Sequence, residues 1–362
     1  MKKDIEDNPY HPFNSFKVLL WRKQLEGMVT GKLLPPVTVD FDPTNICNSN
    51  CIWCNSASFR KKHPESMTTE HMLDLSDFFK KWGIRSQCYA GGGEPMMHDG
   101  TAEYLYRSKK NGIKTGVITN GIRMTEEQAE SIVDCASWCG FSIDAGDPKS
   151  FKAVHQVDKF YQVIENLRTL VELKHDHKSN VEITYKFLLH PYNASTIYEG
   201  AKIAKSIGVD MVQCRPVCWD NLYDQTHREP IDYKSVVGII NSQMEKASTL
   251  TDDNFKFYGI RHKFGENFER VVNFDKCRAT PIMAVYCADG TVQMCHDLRG
   301  KEDWVLCRHD NPEEILDIWG SEKHLKMIES IKPENCPRCT FQRYNEIIEQ
   351  VIIQDKMYSD FP

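Results

Sequence analysis

Seven of the fourteen cysteines in this 362-residue chain fall into two groups whose spacing could hold metal. Cys47, Cys51 and Cys54 stand as C-x3-C-x2-C, and Cys277, Cys295, Cys336 and Cys339 form a split set that closes with C-x2-C. Thiolates are soft ligands that favour zinc or iron–sulfur centres. A structural zinc or a fully ligated four-iron cluster takes four protein ligands, so a trio leaves one metal position open to an outside ligand, whereas a quartet leaves none. By residue type alone, zinc stays open as an alternative at both groups, and unligated thiols at the first.

Composition narrows the setting. Lys and Arg number 45 against 51 Asp and Glu, a formal charge of -6, which argues against a general nucleic-acid binder that would need a basic excess. Hydrophobic residues are 41% and charged residues 27%, globular proportions, with no apolar run of about 18 to cross a bilayer. The opening MKKDIEDNPYHPFNSF lacks the apolar core of a signal peptide, so a cytoplasmic protein with reduced thiols is expected, not a disulfide framework.

The elements that must position the cysteines alternate between strand and helix character, the pattern of parallel βα units. The first 36 residues read as a helical extension around Phe16 to Leu25, closed by Gly27 and Gly31 and stopped at Pro35 and Pro36. Strands are expected at 37–41, 87–90, 114–119, 138–144, 181–189 and 211–216. Helices between them are marked by Leu75, Phe78, Phe79 and Trp82, by a Thr125/Gln128 capping box, and by the stripe Phe160, Val163, Ile164, Leu167. Six units suit an α/β partial (β/α)6 barrel of TIM type, with its site at the carboxyl ends of the strands. The domain expectation is an extension over 1–36, a barrel over 37–218, a bridge over 219–276 with a helix and a strand, and a small α+β iron–sulfur domain over 277–362. That last domain opens with a β-hairpin turning at Asp289-Gly290.

In this setting the first cysteine group closely resembles the radical S-adenosylmethionine (SAM) family signature CxxxCx(aromatic)C, with Trp53 at the aromatic place. Gly92, Gly93, Glu94 and Pro95 match that family's GGEP after the second strand, and Thr119, Asn120 and Gly121 match a frequent third-strand ending. The resemblance covers roughly residues 37 to 216. It implies a 4Fe–4S cluster on Cys47, Cys51 and Cys54 whose open iron binds SAM and cleaves it to methionine and a 5′-deoxyadenosyl radical. It also implies SAM contacts from Gly92 and Gly93, from the Glu94 region, from Trp53 at the adenine, and from Ser142 and Asp144 at the ribose. The second group resembles the Twitch domain, a shortened SPASM relative with one auxiliary 4Fe–4S cluster, since no cysteine follows Cys339. In cluster arrangement the chain is similar to the 2-deoxy-scyllo-inosamine dehydrogenases.

The expected function is therefore two-electron oxidation of a small polar, carbohydrate-like molecule, with the auxiliary cluster as electron acceptor and a flavodoxin or ferredoxin as reductase. Lys186, Arg215, Arg261 and His262 are candidates to bind or deprotonate the substrate, and Lys186 and Arg215 also to meet the cofactor. Cys214 and Cys218 flank the end of the sixth strand, where a thiol could instead donate a hydrogen atom, which would make the enzyme a radical epimerase. Maturation of a ribosomally made peptide and a non-catalytic iron–sulfur sensor or electron carrier are the remaining alternatives. Cys88, Cys135 and Cys139 are expected in the core, and Cys287 and Cys307 as spare thiols. Oligomeric state is not legible.

Overall fold

The computed structural model describes residues 14–217, 231–260, 272–336 and 339–352. The strands are β1 (Thr38–Phe41), β2 (Ser86–Tyr89), β3 (Lys114–Thr119), β4 (Ala136–Ser142), β5 (Glu182–Leu189), β6 (Met211–Pro216), β7 (Lys256–Gly259), β8 (Met283–Tyr286), β9 (Thr291–Gln293) and β10 (Val305–Arg308). They form one open sheet in the order β10-β9-β8-β1-β2-β3-β4-β5-β6-β7. From β8 to β7 every neighbouring pair is parallel, as helix-connected strands require. The α/β partial-barrel expectation holds.

Two edges differ from the sequence reading. The strand in the expected bridge is β7, which pairs in parallel with β6, so that region extends the sheet. The expected hairpin exists, but β8 also lies in register beside β1, with Thr38 opposite Met283 and Phe41 opposite Tyr286. The reason is visible in its composition: Met283, Ala284, Val285 and Tyr286 are all buried, as in strands covered on both faces. The N-terminal helix also differs. It spans Arg22–Thr30, runs through Gly27, and ends at Gly31 with φ +74°.

Alternation along the strands gives the sheet two faces. One face packs Val39, Phe41, Tyr89, Phe141, Tyr185 and Phe187 against the helices, among them Thr69–Trp82, whose Leu75, Phe78, Phe79 and Trp82 are all buried as the spacing predicts. The capping box at Thr125 and Gln128 forms in both directions and opens the helix Glu126–Cys135. The other face lines the barrel lumen with Asp40, Cys88, Gly116 and Trp138 in one register row and Ser142, Lys186 and Gln213 in another. Two lumen glycines make room for larger neighbours. A Cβ on Gly116 would lie 2.1 Å from the Trp138 ring, and one on Gly140 would lie 2.6 Å from Cδ of Lys186.

Candidate active site

The loop carrying Cys47, Cys51 and Cys54 leaves the carboxyl end of β1 and is held from two sides. On one side, Gly93 N–H donates to the Thr44 carbonyl at 2.9 Å and Glu94 N–H to the Ile46 carbonyl at 2.8 Å. A Cβ on Gly92 would sit 2.3 Å from Oδ1 of Asn45, and one on Gly93 2.2 Å from the Ile46 carbonyl oxygen. The sequence reading gave these glycines to the cofactor; in the structure their bare backbone admits the chain's own cysteine loop. On the other side, Asn50 N–H donates to the His155 carbonyl at 3.1 Å and Ile52 N–H to that of Val154 at 3.0 Å.

The three sulfurs have unequal surroundings. Cys51 Sγ lies 3.1 Å from Nδ1 of His155 and 3.3 Å from the Ser49 hydroxyl. Burial pushes this thiol up, but the His155 ring and the Ser49 bond outweigh it and leave the group below the usual thiol value. His155 is 1% exposed; burial disfavours its charge, yet Cys51 and the Asp144 carboxylate raise it to about 10. Cys47, by contrast, is pushed up to about 12 by burial and by the charge of Glu94. Among the described residues, the side-chain donors to Cys47 and Cys54 are farther away, Asn120 Nδ2 at 3.9 Å and an Arg60 guanidinium nitrogen at 3.8 Å. Sequence reasoning missed His155, because a histidine at a helix end carries no motif of its own.

Several residues expected at the cofactor are committed elsewhere. Glu94 is buried and accepts hydrogen bonds from Met96 N, Thr119 Oγ1 and Asn120 N at 3.0, 2.6 and 2.7 Å, so its carboxylate ties GGEP to the end of β3. Burial still pushes it up to about 7. Asp144, with φ +56°, accepts from Leu188 N at 2.6 Å and faces His155 with its second oxygen, 3.3 Å from Nε2. Trp53 is buried beside Val154 and Val217, with its ring 6.0 Å from that of His190. Ser142, half-buried, ends β4 opposite Lys186. Asn120 Nδ2 donates to Asn48 Oδ1 at 2.7 Å, beside the trio.

The trio's neighbourhood fits a ligand larger than the protein supplies. Both amide atoms of Asn45, two residues before Cys47, are buried without a hydrogen-bond partner, a state a folded chain retains only where something else satisfies it. Three thiols in one loop, with Asn45, Asn48 and Asn120 around them, are a donor set suited to a cluster and its polar ligand.

Cys277, Cys295, Cys336 and Cys339 line one cavity, completed by apolar side chains such as Phe274, Met283, Leu298 and Phe341. Burial raises the thiols of Cys277, Cys295 and Cys339. Backbone amides oppose that: Ala279 and Thr280 face Cys277, Asp297 faces Cys295 and Phe341 faces Cys339. Asn345, fully buried, adds a side-chain donor 3.5 Å from Cys339 Sγ while its Oδ1 accepts from Arg278 N and Ala279 N. Amides aimed at sulfur inside an apolar shell fit an iron–sulfur cluster. Among the described residues no three His, Cys, Asp or Glu side chains are gathered tightly enough to grip a single ion.

Between the two cysteine groups lies the polar lumen. Asp40 Oδ2 meets Nδ1 of His296 at 2.8 Å, and His296 Nε2 meets Thr340 Oγ1 at 2.9 Å. Asp42 and Arg299 form a buried two-point ion pair at 2.5 and 3.0 Å. Burial pushes the Asp42 carboxyl up, but Arg299, itself held more firmly charged by Asp42, makes the ion pair the state of both. Lys186 reaches Gln213 Oε1 at 2.9 Å with its ammonium 5.7 Å above the Trp138 ring, and burial and Arg215 lower it to about 8. Cys88, expected in the core, shares the lumen row of Asp40. Cys214 is the reverse: it is fully buried opposite Phe187 on the helix-facing side, which removes it from the lumen and from a hydrogen-donor role. Cys139, Cys287 and Cys307 are buried, and Cys135 is partly exposed. Cys218, Arg261 and His262 lie outside the described residues.

A model of the Radical SAM superfamily matches residues 41–199. A probable GTP 3′,8-cyclase of Saccharolobus islandicus is 23% identical over 283 residues, which are 77% of this chain and 85% of that protein. Streptococcus suis SuiB bound to S-adenosylmethionine superposes with a TM-score of 0.66 at 16% identity, covering 95% of this chain and 80% of SuiB. The anSMEcpe protein with bound AdoMet superposes with a TM-score of 0.59 at 18% identity, covering 86% of this chain and 88% of that one. Among the described residues no helix is long and apolar enough to cross a membrane.

Proposed function

We propose, for a chain that belongs to the radical SAM superfamily through the domain at residues 41–199, that it oxidises a substrate held in the barrel lumen and passes the electron to its C-terminal cysteine quartet. Bound at Cys47, Cys51 and Cys54, a 4Fe–4S cluster and SAM supply a reductively generated carbon radical at the mouth of the lumen. With those groups bound, a substrate in the lumen would lose two hydrogens in all, as one hydrogen atom, one proton to a base and one electron, which a cluster on the C-terminal quartet would accept. A flavodoxin or ferredoxin is the reductase class this chemistry calls for, and a cytoplasmic setting would keep the cysteines of both groups reduced for cluster binding.

The observation that carries this reading is the wiring between quartet and lumen. His296 follows the quartet's Cys295 directly, and its ring spans from Thr340, next to Cys339, to the lumen carboxylate of Asp40. These contacts join the quartet's segment to the lumen, which supports an electron-acceptor role for the quartet. Asp40, Lys186, Gln213 and Arg215 give the lumen polar and charged groups of both signs, which suits a small hydroxyl-bearing molecule. A peptide substrate is the second reading, supported by the likeness of the fold to SuiB bound to precursor peptide SuiA, at a TM-score of 0.65 and 16% identity.

The test is anaerobic. Reconstituted, dithionite-reduced protein should form 5′-deoxyadenosine and methionine from SAM, and candidate polyols, amino sugars and peptides should be screened for a product lighter by two hydrogens. A product of unchanged mass and inverted configuration would replace oxidation by epimerisation. No 5′-deoxyadenosine under any condition would leave a sensor or electron carrier.

A further inference from the structure

We propose that Arg60 acts on the N-terminal trio as a fixed positive charge: its guanidinium, turned back onto Cys54, raises the reduction potential of the cluster the trio holds. The inference deepens the reading above, since it rests on the trio being a cluster site, and it makes Arg60 a positioning residue, not one at the reacting atoms.

The chain beyond the third cysteine folds back on itself. Cys54 N–H donates to the Cys51 carbonyl at 3.0 Å and Ala57 N–H to that of Cys54 at 3.3 Å, two successive turns that lead into the helix Ala57–Lys62. Arg60 N–H donates to the Ser56 carbonyl at 2.8 Å, which seats the residue on that helix. Its side chain then returns to the loop and brings a guanidinium nitrogen to 3.8 Å from Cys54 Sγ. The charge reaches past that one sulfur. Burial disfavours it, yet Cys54, Cys47 and Cys51 together hold the guanidinium above the usual arginine value, which places the cation among all three ligands.

Basic residues in the last turn of a helix ordinarily answer the helix dipole from solvent, and Lys61 and Lys62, both exposed, fit that role. Arg60 does not. It is half-buried, and its Nε is shut off from water and, among the described residues, without a hydrogen-bond partner. An arginine serving only the helix end would keep that nitrogen hydrated. Burying it unpaired costs free energy, and negative charge on the trio beside it offsets that cost. The quartet has an arginine of the same kind, since Nε of Arg278, next to Cys277, is also buried without a partner among the described residues.

Reduction adds one negative charge to an iron–sulfur cluster, so a fixed cation beside a ligating sulfur stabilises the reduced form more than the oxidised one. Loss of that cation should lower the potential of this cluster alone, and a lysine in its place should preserve most of the effect. A guanidinium stays charged at every working pH, so the effect depends on no protonation step.

The experiment is an EPR-monitored redox titration of the anaerobically reconstituted full chain, with iron counted in every variant and the C-terminal cluster, which keeps Arg278 throughout, as internal reference. Arg60→Met should move the N-terminal midpoint to lower potential with the C-terminal one unmoved, and Arg60→Lys should recover most of the shift. Lys61→Gln removes the same charge from an exposed position on the same helix and should leave both midpoints in place. An N-terminal midpoint unchanged in Arg60→Met, equally lowered in Arg60→Lys, or shifted as far by Lys61→Gln would overturn the proposal. If Arg60→Met takes up iron only at the quartet, loading decides: both clusters present in Arg60→Lys support the charge role, and loss of the N-terminal cluster there as well overturns it. A wild-type protein that takes up iron only at the quartet would instead sink the assignment of the trio, before any variant is made.

Discussion

The two cysteine groups solve opposite problems, and their surroundings differ accordingly. The trio sits on a loop at the carboxyl ends of the strands, beside His155, Arg60, Asn48 and Asn120, and its cysteines, like those of the quartet, are half-buried. The quartet sits in an apolar cavity where backbone amides, and one asparagine, are the donors to sulfur. In the first, ionisable side chains make one sulfur unlike the others; in the second, burial raises every thiol for which a shift is resolved. A polar, asymmetric site suits a cluster that must accept an outside ligand. An apolar one suits a cluster that only exchanges electrons.

The largest expected effects break this comparison outright. Replacing Cys47, Cys51 and Cys54 together by Ala should drop iron from about eight to about four per chain and abolish 5′-deoxyadenosine formation. Cys295→Ala should also leave about four irons, yet SAM cleavage should continue while oxidised product is lost. Iron and sulfide counts with product analysis distinguish the two. A Cys295 variant that still formed oxidised product would remove the electron-acceptor role from the quartet.

How much of this was legible in the sequence depends on whether a residue acts by type or by placement. The trio, the quartet and GGEP were legible because thiol chemistry and glycine leave a mark in spacing, and six parallel strands because alternation and apolar stripes do. Strand β8 was read as half of a separate hairpin because an all-apolar tetrad does not announce its second neighbour, β1. Cys88 and Cys214 were misjudged for a related reason: which face a strand residue takes depends on register, and a one-residue difference exchanges lumen for core. His155 and Asn345 act only through long-range contacts, for which one sequence holds no signal.

Next in size is the seam where the quartet's segment meets β1. Asp42 and Arg299 are respectively fully buried and 9% exposed. Asp42→Asn should cost about 3–5 kcal/mol in chemical denaturation, because it strands a buried guanidinium. The double change Asp42→Leu with Arg299→Met should recover most of that loss. A smaller effect is expected on the trio's side of the seam. Glu94→Gln turns one carboxylate oxygen into an NH2 that cannot accept from its backbone donor, at a cost of about 1–3 kcal/mol. Denaturant midpoints measured on both variants sharpen the comparison: if the Glu94 loss exceeds the Asp42 loss, the stronger tie lies at the trio, not at the quartet.

The smallest effect tests the lumen between them. Burial and the charge of Arg215 lower Lys186 from an ordinary 10.5 to about 8. Below about pH 8 the lysine is charged in both folded and unfolded chains, and the folded protein bears the full cost of that charge. Between about 8 and 10.5 the unfolded chain binds the extra proton, so this group's contribution to stability rises with pH across that window. Lys186→Met should therefore be relatively more stable near pH 7.5, with wild type regaining about 1 kcal/mol by about pH 9.5, less than the full shift implies because Lys186 is only half-buried. Taking the difference between wild type and variant at each pH cancels the titration of the buried cysteines and tyrosines common to both. A flat difference would mean that Lys186 is already neutralised by a partner in the lumen, and the polar balance there would have to be redrawn around that partner.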